Sequence, residues 1–555
     1  MSIISDPVRL EVLKNTFEGI GDGMAITLVR TSRSSVVRTG HDFSTAILTP
    51  TAELVGQGMC SPIHLGGMGV ALESCLDYYD NRIYPEDIFV NNDPYEGGSH
   101  LPDIFLYKPV FVGDRVVAWL CAMSHHTDVG GRVPGGNACD STEIYQEGNR
   151  IPPLKLREGN EFNHTLVEML KLNVRVPQVF MGDIGAQISA CTVGARRVAE
   201  LAGRYGYGQT LRIFNELLDR SEQLTRKALE AIPDGTYSYV DYLDNDGVNL
   251  DESVRIEVAV TVSGSELHCD FEGTDPQTRG PFNAVKSGSQ AAAYYAVRAV
   301  TDSSIPTNGG CFRPVSLHLP EGTLVNPVEP APVNSRTATL KRIAGSIVGA
   351  LKGALPEQIP ADSAGELLVL SLGGKNLSGK PYVVGEFNAG GSGGGPRKDG
   401  VDVIETDGSN CMNMPVEALE LEAPARVHRM SLRTDSGGVG EFRGGLGCVR
   451  EIEFLTDNIA LTHRGERHRH AARGSQGGGD GAKAFSKIVR RDGTEEVVNS
   501  KLFTMVHSGE RLIVETAGGG GYGDPNGRDR EAVQDDLRNR KVSERSAMND
   551  YGLSN

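Results

Sequence analysis

The chain has 555 residues, with 72 acidic against 55 basic side chains and a net charge of −17. That balance, with no basic stripe interleaved with aromatics, argues against nucleic acid or another polyanion as the main partner. No run approaches the roughly 18 apolar residues of a membrane span. The N-terminal segment lacks a basic n-region, and the nine cysteines contain no CxxC pair, so a cytoplasmic protein in a reducing compartment, with no membrane association, is expected.

Asp6-Pro7 offers an N-cap acid followed by proline, and Leu10, Leu13, Phe17, Ile20, Met24 and Leu28 then recur at helical spacing. Gly19, Gly21 and Gly23 imply a break or a close approach in that helix. A short hairpin, 43–48 with 53–55, follows Asp42, and 66–79 reads as a helix. Residues 87–90 form a short strand that enters Asn91-Asn92-Asp93-Pro94. The stretch that follows is the most informative. Residues 104–112 and 115–123 are apolar runs joined by Gly113-Asp114, a hairpin signal. In an antiparallel pair folded about that turn, residues whose numbers sum to about 228 face each other. Asp103 and His125 do so, and His100 stands in the glycine-rich loop just before Asp103.

Helical patterns occupy 161–203, punctuated at Val176-Pro177 and Gly182, and 207–232, which ends at Pro233-Asp234-Gly235. The character then changes. Residues 254–262 alternate apolar and polar, the period of a half-buried strand. A strand at 267–271, helices at 283–301 and 337–355, and a strand pair at 366–372 and 381–387 come next. Beyond Gly390 the pattern is glycine-rich loops with short strands, such as 449–454 and 512–516, closed by an exposed charged helix over 528–541. The expected fold is α+β: a mixed, loop-rich body whose β-hairpins carry the site, with several packed helices. The expected regions are 1–233 and 234–555, glycine-rich in the second. The 69 glycines show no collagen period.

His100, Asp103 and His125 gather two imidazoles and a carboxylate at one hairpin end, a plausible site for a divalent metal such as zinc, iron(II) or manganese. Read alone, the same residues are also consistent with polar strand-end side chains. Asp42, at the mouth of the first hairpin, is a further candidate ligand that only tertiary folding can deliver. His126 and Asp128 flank the cluster as candidate general bases or ligand orienters. Other motifs carry less. Gly374 to Lys380 imitates a phosphate loop, but Pro381 replaces the magnesium-ligating hydroxyl and the segment lies between strands, so a turn is expected. Ser392 sits in a Gly-x-Ser-x-Gly match with no helix after it, which reads as packing rather than a nucleophile elbow. In a strand, His268 and Cys269 point to opposite faces and cannot form a nucleophile–base couple.

The stretches HDFSTAILTPTAELVGQ, NNDPYEGGSHLPDIFLYKPVF, HHTDVGGRVPG, DSTEIYQEGNRIPPLKL, GARRVAEL and GGGGYGDP resemble the hydantoinase B family, over nearly the whole chain. That family includes B subunits of N-methylhydantoinase and caprolactamase, the C-terminal half of 5-oxoprolinase, and subunits of acetone and acetophenone carboxylases. The resemblance implies one divalent metal, at the matching positions Asp42, His100, Asp103 and His125. It also implies a separate A-type subunit that binds ATP and magnesium, in a heterotetramer or larger assembly. The implied reaction is opening of a cyclic amide (a hydantoin, oxoproline or lactam) after the partner phosphorylates it, with His126 or Asp128 taking a proton from the attacking water. The alternatives are a ketone-carboxylase subunit and a non-catalytic scaffold for the A-type partner. The basic segment HRGERHRHAA, 463–472, departs from the family pattern, and no role is carried onto it.

Overall fold

A computed structural model describes residues 7–59, 61–80 and 82–553. The central hairpin lies inside a seven-stranded antiparallel sheet of β1 (Phe43–Leu48), β2 (Leu54–Gln57), β3 (Ile88–Asn91), β4 (Asp103–Val112), β5 (Arg115–His125), β6 (Leu154–Glu158) and β7 (Glu161–Phe162), ordered β2-β1-β5-β4-β3-β6-β7. Asp103 pairs with His125, and the expected register holds as far as Val110 and Ala118, where a bulge shifts it by one residue. Both strands read as continuous apolar runs because both sheet faces are covered. Ile104, Leu106, Leu120 and Ala122 face the helix Pro177–Tyr205, while Phe105, Tyr107, Cys121 and Met123 face the helix Gly67–Tyr79.

The first helix, Pro7–Thr31, runs unbroken through its glycines. Gly21 is there for close approach: an added Cβ would lie 2.7 Å from the Gln57 carbonyl carbon, at the edge of β2. Gly182 likewise leaves Pro177–Tyr205 intact, because tertiary packing overrides a propensity penalty of about 1 kcal/mol. The proposed cap Asp6 lies outside the described residues.

Three further sheets follow. Strands β8 (Gly235–Leu243), β9 (Val254–Ser263), β10 (Glu266–Asp270) and β11 (Val315–His318) form one of them, ordered β11-β10-β9-β8. The helices Lys286–Val300 and Thr337–Leu351 pack on its apolar face. Strands β12 (Leu367–Lys375), β13 (Pro381–Ala389), β14 (Ala425–Leu432), β15 (Cys448–Phe454), β16 (Ile459–Arg464), β17 (Phe485–Val489), β18 (Glu495–Val498), β19 (Lys501–Val506) and β20 (Arg511–Glu515) divide between two sheets. Their orders are β13-β12-β16-β19 and β14-β15-β20-β17-β18, and they share one core. The architecture is mixed, as expected, with helices set against several largely antiparallel sheets. The loop resembling a phosphate site is the turn between β12 and β13.

The glycine-rich segments are a packed body of backbone. Residues 518–521 are flanked by glycine-rich stretches on several sides. Gly438 N–H donates to Gly519 O (2.8 Å), Gly394 N–H to Gly520 O (2.8 Å), Gly519 N–H to Gly445 O (3.0 Å) and Gly521 N–H to Gly479 O (2.8 Å). A Cβ on Gly518, Gly519, Gly520 or Gly521 would overlap a carbonyl of the adjacent stretch, from Ser436, Ser392, Arg473 and Val439 respectively. Hydrogen bonding between main chains replaces side-chain interdigitation here, which accounts for much of the glycine content. Ser392 lies in this body, and its hydroxyl accepts from Val401 N–H (2.7 Å). The terminal charged helix is shorter than expected, Arg530–Arg538, and it does not close the chain; Glu544–Asn549 follows. It is not fully exposed either, since Asp536 is buried against Arg443 and Arg528.

Candidate metal centre

β1 pairs with β5 so that His125 N–H donates to Asp42 O (3.1 Å), which sets Asp42 opposite His125. Asp103 lies across from His125 on the other side. Asp42, His125 and Asp103 therefore form a row over three adjacent strands, and the loop before β4 folds His100 onto it. His100 Nε2 lies 2.9 Å from Asp103 Oδ1 and 3.2 Å from His125 Nδ1, which is itself 3.2 Å from Asp103 Oδ1. Asp42 Oδ2 is 3.8 Å from His125 Nδ1.

The tautomer of His100 decides what this triangle means. Its Nδ1 is 2.9 Å from the Asn334 carbonyl, which can only accept, so Nδ1 carries the proton. Burial, then the neighbouring Arg336, pulls the ring down to about 3, so it is neutral at physiological pH. Nε2 is then a bare lone pair facing a carboxylate oxygen. Two acceptors held at 2.9 Å with no proton between them repel, and a cation between them removes the conflict. Ligand atoms sharing a tetrahedral cation with bonds of about 2.0–2.1 Å stand about 3.3 Å apart, close to these separations. Asp42 Oδ1 and His64 Nε2 are buried beside the triangle without hydrogen-bond partners. The donor set thus fits a divalent cation.

The surroundings hold these side chains in place. Burial pushes the Asp103 carboxyl up, but the positive charge of Arg336 beside it opposes this, and the group stays well below the usual carboxylate range. Arg336 donates to Asp103 Oδ2, leaving Oδ1 to the histidines, and also to Ser99 and Thr337. Such outer contacts fix ligand orientation. Burial, and next the charge of Asp103, pushes Asp42 up to about 6, with His125 opposing.

Two of the expected site residues do not join the cluster. Alternation along the chain turns His126 to the opposite face from His125. There its Nε2 lies 3.0 Å from Gln187 Oε1, and its ring packs on Phe180 with centroids 4.7 Å apart. Asp128 accepts from Gly135 N–H, Arg175 N–H and Arg175 Nη1, and so braces its own loop. Neither lines the cavity at the triangle.

That cavity holds three residues that no sequence pattern singles out: His64, Arg336 and Arg464. His64, on the turn Pro62–His64, is 2.8 Å from Ser44 Oγ through Nδ1, while Nε2 points at Asp42 Oδ1 (3.7 Å) and Asp103 Oδ2 (3.8 Å). No spacing rule marks it, because only the β1–β2 arrangement brings that turn beneath the row. Ile63, Leu367, Val369, Val384 and Phe387 give the cavity an apolar wall.

Glu147 acts at one remove. It is buried and accepts from Val333 N–H (3.1 Å) and Asn334 N–H (2.9 Å), fixing the carbonyl that holds His100. Burial pushes its carboxyl up to about 8, against these hydrogen bonds. The unfolded chain releases this proton near 4.5, whereas the folded chain keeps it to about 8. Between those values the folded state binds more protons, so stability falls as pH rises. Glu147→Gln is expected to flatten the decline in melting temperature of the metal-free protein between about pH 5 and 8. An unchanged slope by thermal denaturation would assign that titration to another group.

The family profile described as hydantoinase B/oxoprolinase matches residues 6–525. The chain is 35% identical to the beta subunit of the caprolactamase of Pseudomonas jessenii over 561 residues, covering 99% of this chain and 96% of that one. It is 32% identical to the B subunit of a putative D-/L-hydantoinase of Pseudomonas sp. (strain NS671), covering 99% and 95%. A crystal structure of ATP-dependent caprolactamase from Pseudomonas jessenii superposes with a TM-score of 0.94 at 34% identity, over 99% of this chain and 96% of that one.

Proposed function

The chain is a member of the hydantoinase B/oxoprolinase family, and from that premise we propose that it is the metal-holding B subunit of an ATP-dependent cyclic-amide hydrolase. The observation that carries this reading is the triangle of His100, Asp103 and His125, in which the bare Nε2 of His100 faces the Asp103 carboxylate at 2.9 Å. With Asp42 they would hold one divalent cation, zinc, manganese or iron(II). Such a cation supplies Lewis acidity, which lowers the pKa of water toward neutrality and polarises a carbonyl or phosphoryl oxygen. An A-type partner, carrying ATP and magnesium in a heterotetramer or larger assembly, phosphorylates the amide oxygen. That makes an unreactive carbonyl carbon open to attack.

The side chains of this subunit then have separate tasks. Arg336 and the Asn334 carbonyl keep Asp103 and His100 in register. His64, whose Nε2 has no hydrogen-bond partner and faces Asp42 and Asp103, replaces His126 and Asp128 as the group placed to accept the proton of the attacking water. The apolar wall receives the ring carbons and excludes bulk water. The single P-loop-like stretch noted in the sequence is a strand turn, consistent with nucleotide chemistry residing on the partner.

The test is to purify the chain with its A-type partner and offer lactam, hydantoin and 5-oxoproline substrates with ATP. The expected result is ring opening with release of ADP and phosphate, independent of bicarbonate. ATP-dependent fixation of bicarbonate onto a ketone would instead place the complex among the carboxylases. Full turnover by a metal-free variant would reduce this chain to a scaffold.

A further inference from the structure

Seven arginines are buried among the described residues. Six of them, Arg336, Arg342, Arg443, Arg450, Arg467 and Arg528, have a carboxylate within 4.0 Å. Arg464 is the exception. It ends β16, is 7% exposed and lines the cavity at the metal centre. Its hydrogen bonds are two long ones from Nη1, to Asn334 O (3.3 Å) and Asn137 Oδ1 (3.4 Å). A guanidinium has five donors, and burying one without a counter-charge is costly. The other six show how this fold ordinarily meets that cost.

The charge of the site states what is missing. Asp42 and Asp103 carry two negative charges, and Arg336 and Arg464 carry two positive ones. A divalent cation adds two further positive charges, so the loaded cavity is left about two charges positive. A neutral ring cannot balance that, and a single carboxylate balances half of it. A phosphoryl group is dianionic near neutral pH, and its oxygens match the fork of an arginine.

We propose that Arg464 is the recognition residue for the phosphoryl group of an O-phosphorylated cyclic amide. The cavity on this subunit then selects the activated substrate over the neutral ring. This inference rests on the reading given under Proposed function.

The test uses the full chain loaded with manganese, and inorganic phosphate, acetate and caprolactam as probes in calorimetric titrations. Phosphate should bind the wild type more tightly than acetate. Arg464→Gln should weaken phosphate at least about tenfold, the worth of a hydrogen bond to a charged group, and leave caprolactam unchanged. Arg464→Lys should recover part of the loss, which a merely structural role would not produce. Equal loss for all three probes, or a loss confined to acetate, would overturn the assignment. Should Arg464→Gln fail to fold, the order of phosphate and acetate on the wild type decides. Arg464-dependent phosphate binding in a complex that opens no ring would sink the functional reading alone. Ring opening by an Arg464→Gln complex with unaltered phosphate affinity would sink this inference alone.

Discussion

His125→Ala is expected to leave the purified chain without its divalent metal and the assembled complex without turnover. His125 Nδ1 stands within 3.2 Å of both His100 Nε2 and Asp103 Oδ1, and 3.8 Å from Asp42 Oδ2, so it is close to all three of the other candidate ligands. Losing an outer-shell partner typically costs 10–100-fold in affinity or activity, so losing this direct donor should cost more than about 100-fold. His125 is partly exposed to the cavity and bears no ion pair with Arg336, so the fold should survive the change. Asp103→Ala is a poorer choice, because it would strand the buried Arg336 without its carboxylate. Metal content by plasma mass spectrometry and ATP-dependent ring opening would be measured together. His64→Ala is the informative companion: metal should be retained while turnover falls. If His125→Ala kept a full equivalent of metal, the ligand set would be wrong.

Gly519→Ala should abolish soluble protein. The added methyl would overlap the Ser392 carbonyl and sit 2.8 Å from Gly393 N, and both are backbone atoms with hydrogen-bonded neighbours that cannot swing aside. A destabilisation beyond about 4 kcal/mol is rare for one residue and arises from such forced overlap. Gly185→Ala provides the contrast. Gly185 is exposed within the helix Pro177–Tyr205 and has nothing within 4 Å of a Cβ. Alanine there should add about 0.5–1 kcal/mol through helix propensity. Urea midpoints and soluble yields for the two variants test this. Normal expression of Gly519→Ala would mean that the backbone body is looser than its hydrogen bonds imply.

The hairpin and its register were legible because everything needed was local: two apolar runs, a turn signal and the pairing rule. Those placed Asp103 opposite His125 and His100 beside them. Asp42 needed one further fact, that β1 lies next to β5, which no local pattern supplies; the family resemblance supplied it instead. His64, Arg336 and Arg464 were invisible because each arrives through contacts distant in sequence, from a turn, a helix start and a strand end. The placement of His126 was within reach. The alternation that separates His268 from Cys269 also separates His126 from His125, and applying it would have sent His126 to the helical side. The glycine runs were readable as packing, but not as a body whose strands hydrogen-bond across several separate stretches.

That body has a thermal consequence. Exposing hydrocarbon raises the heat capacity of unfolding, while exposing peptide groups lowers it. Pulling residues 518–521 from their neighbours uncovers almost only amides. This part of the molecule therefore contributes little curvature to the dependence of stability on temperature. Its cohesion fades less on cooling than that of the apolar cores around the helices, so cold should loosen those cores first.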